Sequence, residues 1–112
     1  MANLFTNSMK PSIGIANTEV YKGPIATQST VIGLSIANKT IANTLLVSAY
    51  VLDSANNYAP AFLVSNATVA IGSTLIIVGG DQKIVLKSND SIQVTSSANA
   101  SADAIVSVLQ IT

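Results

Sequence analysis

Short segments rich in β-branched residues, separated by turn residues, follow one another along the 112-residue chain. In several segments apolar and polar side chains alternate with a period of two, which is typical of a strand that buries one face. No stretch has the apolar period of a helix over a useful length. The pattern therefore predicts an all-β domain.

The turn residues set the limits of seven to nine predicted strands. The predicted strands span residues 13–21, 29–37, 45–52, 58–64, 69–71, 74–78, 83–87, 92–95 and 103–111. Turns that recur about every 8 to 12 residues favour a single antiparallel β-sandwich or jelly roll, here residues 13–112. Residues 1–12 show no strong period and are predicted to be an N-terminal arm, either frayed or ordered against a neighbouring subunit.

Four local patterns refine these strands. In residues 29–37, Ile32, Leu34 and Ile36 alternate onto one face, with Val31, Gly33 and Ser35 on the other. Residues 45–52 are apolar on both faces, which favours a central strand. Pro60 places the next strand at a sheet edge, because proline cannot donate a ladder hydrogen bond. The glycines of residues 79–82 predict a tight turn that reverses the chain.

The composition excludes most catalytic chemistry. The chain has no His and no Cys, so Ser-His and Cys-His nucleophiles, the usual zinc sites and disulfides are absent. The five acidic residues are isolated from one another in sequence. Five scattered Lys balance them to a net charge of zero, which gives no basic patch for nucleic acid and no reason for copies to repel. We expect a self-associating protein that is no enzyme and needs no cofactor.

Other motifs have simple explanations. Asp53 to Asn57 could start a calcium site, but the spacing of a calcium loop is missing and a turn is favoured. The sequons at Asn38, Asn66, Asn89 and Asn99 are expected by chance in a chain rich in Asn, Ser and Thr. Neither a membrane-spanning apolar run nor a signal peptide is predicted, so we expect a protein made in a cytoplasm.

Four stretches of the chain resemble small virion structural proteins of tailed bacteriophages, particularly marine and cyanobacterial ones. They are residues 31–38 with Thr40, residues 71–75, residues 79–86, and residues 89–94 with 103–112. The likeness covers about residues 13–112. That group commonly has Gly-Asp where this chain has Asn89-Asp90, a mild departure because Asn also tolerates a left-handed backbone. The resemblance implies a particle component present in many copies, and it transfers no catalytic residue.

The leading hypothesis is a capsid decoration, or cement, protein that binds an assembled shell as a homotrimer at local three-fold positions. Its partners would be the major capsid protein or other virion subunits, without nucleic acid or membrane. The alternative is a neck, tail or fibre subunit whose head binds host glycans near Tyr58. The predicted contact residues are Leu4, Phe5 and Met9 in the arm, and Asn56, Asn57, Tyr58 and Phe62 around the turn after residue 52.

Overall fold

The computed structural model describes residues 3–79 and 83–112, and these residues form nine β-strands and one 3₁₀ turn, Ser54–Asn56. The strands are β1 (Asn3–Ile13), β2 (Thr18–Lys22), β3 (Gln28–Asn38), β4 (Leu45–Asp53), β5 (Ala59–Val69), β6 (Thr74–Val78), β7 (Ile84–Leu86), β8 (Ser91–Thr95) and β9 (Ala102–Ile111). The predicted all-β class is confirmed.

Two antiparallel sheets pack face to face. The five-stranded sheet has the order β1-β9-β3-β6, with β7 also paired to β3, and the four-stranded sheet has the order β2-β8-β4-β5. The sandwich architecture predicted from the sequence is therefore confirmed. β4 lies between β8 and β5, as the two apolar faces of β4 predicted. β5 lies at an edge of the sheet, as Pro60 predicted.

The core between the sheets is almost wholly aliphatic. Its most deeply buried large side chains are Ile13, Leu34, Ile36, Leu45, Leu86, Ile92, Val20, Val31, Val47, Val78, Val94 and Val106. Each such side chain contributes about 1.5–3 kcal/mol when it is fully buried. These residues alternate with outward-facing residues along β3, β4, β8 and β9. The period of two in the sequence therefore determines which face of each sheet packs against the other sheet.

A β-bulge in β3 corrects the predicted alternation. The pairing with β9 shifts between Val31 and Gly33, which inserts one residue into the ladder. Val31 is fully buried beside the same core as Leu34, and Ile32 is only half-buried. The sequence prediction had placed Val31 and Ile32 the other way round, because it assumed an unbroken period.

The N-terminal segment forms β1 from residue 3 onward. β1 pairs with β9 from Asn3, opposite Ile111, to Ile13, opposite Ala102. Residues 14–17 then connect β1 to β2, so the predicted strand 13–21 is divided in two. The side chains that β1 turns toward the other sheet include Thr6 and Ser8, which are only half-buried at this sheet edge. Because these inward-facing side chains are polar, β1 lacks the alternation of apolar and polar residues that indicates a strand in the sequence.

The chain does not reverse between β6 and β7, so that prediction is wrong. Both strands pair antiparallel with β3, β6 along residues 34–37 and β7 along residues 29–31, and they consequently run in the same direction. Residues 80–82 of the predicted turn lie outside the described residues. On the other side of the sandwich, β5 extends to Val69, and the predicted strand 69–71 is otherwise a turn.

Asp90 ties together the loops at one end of the sandwich. Its carboxylate accepts hydrogen bonds from Ser54 N at 2.9 Å, Ser54 Oγ at 2.8 Å and Lys87 N at 2.9 Å. Burial alone would raise the pKa of Asp90, but these hydrogen bonds and the nearby Lys87 charge hold it below its ordinary value. The carboxylate thereby fixes the turn between β4 and β5 against the turn before β8.

The predicted turn at residues 53–57 is present. Asp53 caps the 3₁₀ turn by accepting a hydrogen bond from Ala55 N at 3.1 Å, and Asn57 follows with φ at 56°. Asn89 has φ at 68°, which is a left-handed conformation. Both positions suit asparagine because its side chain tolerates this backbone better than other non-glycine residues.

The Asn38 side chain is hydrogen-bonded within the fold. It is buried, and its amide donates to Asn43 O at 2.8 Å and to Val69 O at 3.0 Å. Its side-chain oxygen accepts from Thr40 N and Thr40 Oγ1. Attachment of a glycan at this sequon would break these bonds.

Candidate functional site: the outer faces of the two sheets

The predicted contact residues lie in four places. Phe5 and Met9 point outward from the five-stranded sheet, whereas Leu4 lies on the opposite side of β1. Asn56, Asn57 and Tyr58 lie in the turn between β4 and β5, where all three are exposed. Phe62 points outward from the four-stranded sheet. These residues therefore do not form one continuous patch: only Phe5 and Met9 share a surface, and Leu4, Phe62 and the turn residues lie elsewhere.

The outer face of the five-stranded sheet carries exposed apolar side chains from four strands. Two cross-strand rows hold them: one runs from Met9 through Ile105 and Ser35 to Ile76, and the other from Phe5 through Leu109 and Thr30 to Val85. We call Phe5, Met9, Ile76, Val85 and Ile105 the apolar face. Phe5 is 72% exposed and Ile76 is 69% exposed. Clustered exposure of this kind marks interaction surfaces on soluble proteins.

The residues between the two rows are small or polar. Asn7, Ser107 and Gly33 lie there on adjacent strands. The face is therefore low at its middle, with apolar side chains standing on both sides. Another protein chain could approach the backbone at this point, because Gly33 has no side chain.

The outer face of the four-stranded sheet contains a groove of about 660 Å³. Its lining residues are Asn17, Ser48, Tyr50, Leu52, Pro60, Phe62, Ser65, Asn66, Gln93 and Thr95. We call it the Tyr50 groove. The rings of Tyr50 and Phe62 pack with their centroids 4.9 Å apart and their planes tilted by 39°, because these residues are direct cross-strand partners.

A distortion of the β4–β5 ladder shapes one wall of the groove. The pairing shifts on both sides of Ala49, and Asn66 opposite this region has φ at 53°. Ser48 Oγ accepts a hydrogen bond from Asn66 N at 3.0 Å, which replaces a ladder bond. The resulting bulge bends β5 and presents the Asn66 side chain to the groove.

A smaller recess of about 260 Å³ lies between β1 and β9, lined by Met9, Lys10, Pro11, Asp103, Ala104 and Ile105. Asp103 at its rim accepts from Ser12 N at 2.9 Å and pairs with Lys39 Nζ at 3.0 Å. The hydrogen bond from Ser12, together with Lys39, lowers the pKa of Asp103 despite its partial burial. The hydrogen bond from Ser12 N to Asp103 links the irregular end of β1 to β9.

The described residues offer no arrangement for metal chemistry. Within residues 3–79 and 83–112, no three His, Cys, Asp or Glu side chains come together as a possible metal site. In the same residues no helix has the length and apolar character to cross a membrane.

The sequence predictions missed most of both surfaces. Ile76, Val85 and Ile105 were assigned to strands but not to a contact surface, and Tyr50 was assigned only to a central strand. The available signal was the outward position of these residues within their predicted strands. Assembling them into surfaces required the strand order, which places residues far apart in sequence side by side.

Comparisons with known proteins concern the fold. No protein-family model matches the chain, and no curated protein matches it in sequence. A protein of an infectious bursal disease virus particle shares the fold with a TM-score of 0.55 at 8% identity, over 96% of this chain and 30% of that one. The VP2 protein of the same virus gives 0.50 at 8% identity, over 96% and 35% of the two chains. This chain thus spans about a third of those viral proteins.

A subunit of the disulfide-linked pili on Bacillus endospores is also similar. It gives a TM-score of 0.51 at 10% identity, over 99% of this chain and 87% of that one. At these identities the likeness shows the sandwich fold and no more. This chain has no cysteine, so it cannot form the disulfide links by which those pili are described.

Proposed function

We propose that this chain is a structural subunit of a bacteriophage virion, a decoration protein that binds the outside of the assembled capsid. The observation that carries the proposal is the apolar face, which exposes side chains such as Phe5 and Ile76 to solvent. Its burial against a shell or a neighbouring copy would be favourable. The capsid-like fold and the resemblance to phage virion proteins support the same assignment.

The charge of the chain suits this role. A net charge of zero and few charged residues give little repulsion between copies packed at high density on a shell. Many weakly bound copies then act together through avidity. We propose a homotrimer at local three-fold positions, with the major capsid protein as partner. Phe5 and Met9, predicted as contacts from the sequence, lie on the apolar face, and all seven predicted contact residues remain proposals.

Heat resistance of shells tests the proposal. Shells of the parent phage assembled without this protein should disassemble at a lower temperature in calorimetry, and added protein should restore the transition. Ile76→Lys should abolish the restoration, because it places a charge in the apolar face. Ile41→Lys is the matched control, since Ile41 is 95% exposed in the connection between β3 and β4 and outside both surfaces. Equal restoration by both variants would refute the role of the apolar face.

A fibre, neck or tail subunit is the second candidate. It is supported by the pilus subunit, whose length this chain nearly spans, and by the elongated dimensions of 47 × 27 × 22 Å. The copy number per virion, counted by cryo-electron microscopy, separates the candidates. Hundreds of copies over the shell indicate decoration, whereas a few copies at one vertex indicate a tail or fibre position.

A further inference from the structure

The Tyr50 groove has the size of a ligand site. Its volume of about 660 Å³ lies within the roughly 300–1,000 Å³ range of sites for small organic ligands. All its lining residues except Asn17, which lies in the connection between β1 and β2, belong to the three adjacent strands β8, β4 and β5. Such residues are held more firmly than residues on a loop.

An aromatic platform lies in the groove. The Phe62 side chain is 56% exposed, whereas its partner Tyr50 is only 8% exposed. Tyr50 therefore supports the Phe62 ring from one side and leaves much of the ring open to a ligand. The negative face of an aromatic ring attracts weakly positive C–H groups, which the faces of sugar rings present.

The polar lining consists of neutral groups. Asn17, Asn66 and Gln93 supply carboxamides, and Ser48, Ser65 and Thr95 supply hydroxyls. Gln93 is oriented by a hydrogen bond from its Nε2 to Ser91 Oγ at 3.2 Å. Carboxamides and hydroxyls both donate and accept, and therefore match the hydroxyl groups of a sugar.

Charge distinguishes among ligand classes. None of the side chains that line the groove is charged, so the groove has no cation to pair with a phosphate or carboxylate. Its polar groups are interspersed with Leu52, Pro60 and Phe62, whereas the apolar face on the other sheet exposes five large apolar side chains. An extended protein interface is therefore better matched by the apolar face.

We propose that the Tyr50 groove binds a neutral glycan, with a sugar ring stacked on Phe62 and its hydroxyls bonded to the carboxamides of Asn66 and Gln93. The site is distinct from the exposed turn at Tyr58, which the sequence had indicated for glycan binding. The proposal does not depend on where the protein lies in a virion. Its outcome is therefore separable from the heat-resistance test of shells.

A nuclear magnetic resonance titration tests the site. The ¹⁵N-labelled protein is titrated with neutral hexasaccharides of glucose, mannose and galactose, and with a heparin hexasaccharide as the charged comparison. At least one neutral sugar should shift the amide resonances of Tyr50, Phe62 and Gln93, and heparin should not. The proposal is overturned if no neutral sugar at millimolar concentration shifts them, if the shifts map to the apolar face, or if heparin binds equally well.

Two variants and one control locate the binding. Phe62→Ala should weaken the affinity at least tenfold, because it removes the aromatic platform. Asn66→Gly should weaken it about fivefold, the effect of one neutral hydrogen bond; glycine keeps the backbone, since φ at this position is 53°. Phe5→Ala is the control, a comparably exposed phenylalanine on the opposite sheet. Unchanged binding by Phe62→Ala, or equal loss in Phe5→Ala, would overturn the proposal.

Discussion

Replacement of Asp90 by alanine should destabilise the sandwich more than replacement of Asp53 or Asp103 by alanine. Asp90 is 4% exposed, and its carboxylate accepts from two backbone N–H groups and the Ser54 hydroxyl. In Asp90→Ala the hydroxyl still has Ser88 O at 2.8 Å as an acceptor, whereas Ser54 N and Lys87 N lose theirs.

The expected loss follows from these two orphaned donors. A buried donor left without a partner costs about 1–3 kcal/mol, so the loss of two acceptors should lower the free energy of unfolding by about 2–6 kcal/mol. For a domain of this size the midpoint of thermal unfolding should then fall by about 8–25 °C. Asp53→Ala is the control, because Asp53 accepts one bond in a more exposed position and its loss should cost about 1 kcal/mol.

The pH dependence gives a second measurement on the same residue. The pKa of Asp90 is lowered in the folded protein, because its hydrogen bonds outweigh the opposing effect of burial. Its contribution to stability is therefore present above the unfolded pKa of about 3.9 and is lost as the pH falls through the lower folded pKa. Urea denaturation should show a stability gap between wild type and Asp90→Asn that is wide near pH 7 and narrower near pH 2. Equal stability of Asp90→Ala and Asp53→Ala, or a gap that does not change with pH, would refute the role of Asp90.

Three further substitutions probe the loops. Gly23→Ala should lower the unfolding free energy in urea by about 1–3 kcal/mol, because the new Cβ would lie 2.7 Å from Lys87 O, and wild-type stability would contradict that close approach. Asn89→Val should cost about 1–3 kcal/mol at φ 68° while Asn89→Gly stays within about 0.5 kcal/mol, and thermal unfolding should rank them in that order. Asp103→Ala should lower the unfolding free energy by less than about 1 kcal/mol despite the ion pair with Lys39, because both side chains are well exposed. A larger loss of unfolding free energy in urea would contradict this and would show stronger coupling of β1 to the sheet.

The local features of the fold were predictable. The position of β4 followed from its two apolar faces, the edge position of β5 from Pro60, and the turn after β4 from the Asp and Asn residues at 53–57. Each depends on side chains within a few residues of one another. Such signals do not require knowledge of which strands are neighbours.

The features that were missed depend on contacts distant in sequence. β1 is held by backbone pairing with β9, nearly a hundred residues away, and its inner side carries Thr6 and Ser8. The bulge at Ile32 is a feature of the ladder with β9, and it reassigns Val31 to the core. β6 and β7 share one partner strand, a relation that the glycines between them do not reveal.

The candidate surfaces were only partly predictable for the same reason. Phe5 and Met9 were predicted as contacts within the N-terminal arm, and Phe62 within the segment that follows the turn after residue 52. Tyr50 became part of a site only because β4 lies between β8 and β5, which brings Gln93 and Phe62 to its two sides. Strand order in a sandwich is not encoded in the period of any one strand.

A cryo-electron microscopy reconstruction of the phage particle that contains this chain tests the central claim most directly. We predict hundreds of copies of the sandwich on the outside of the shell, as trimers, with Phe5, Met9 and Ile76 covered by the capsid or by neighbouring copies. Particles that lack the protein on the shell, or that carry it with the apolar face open to solvent, would contradict the account.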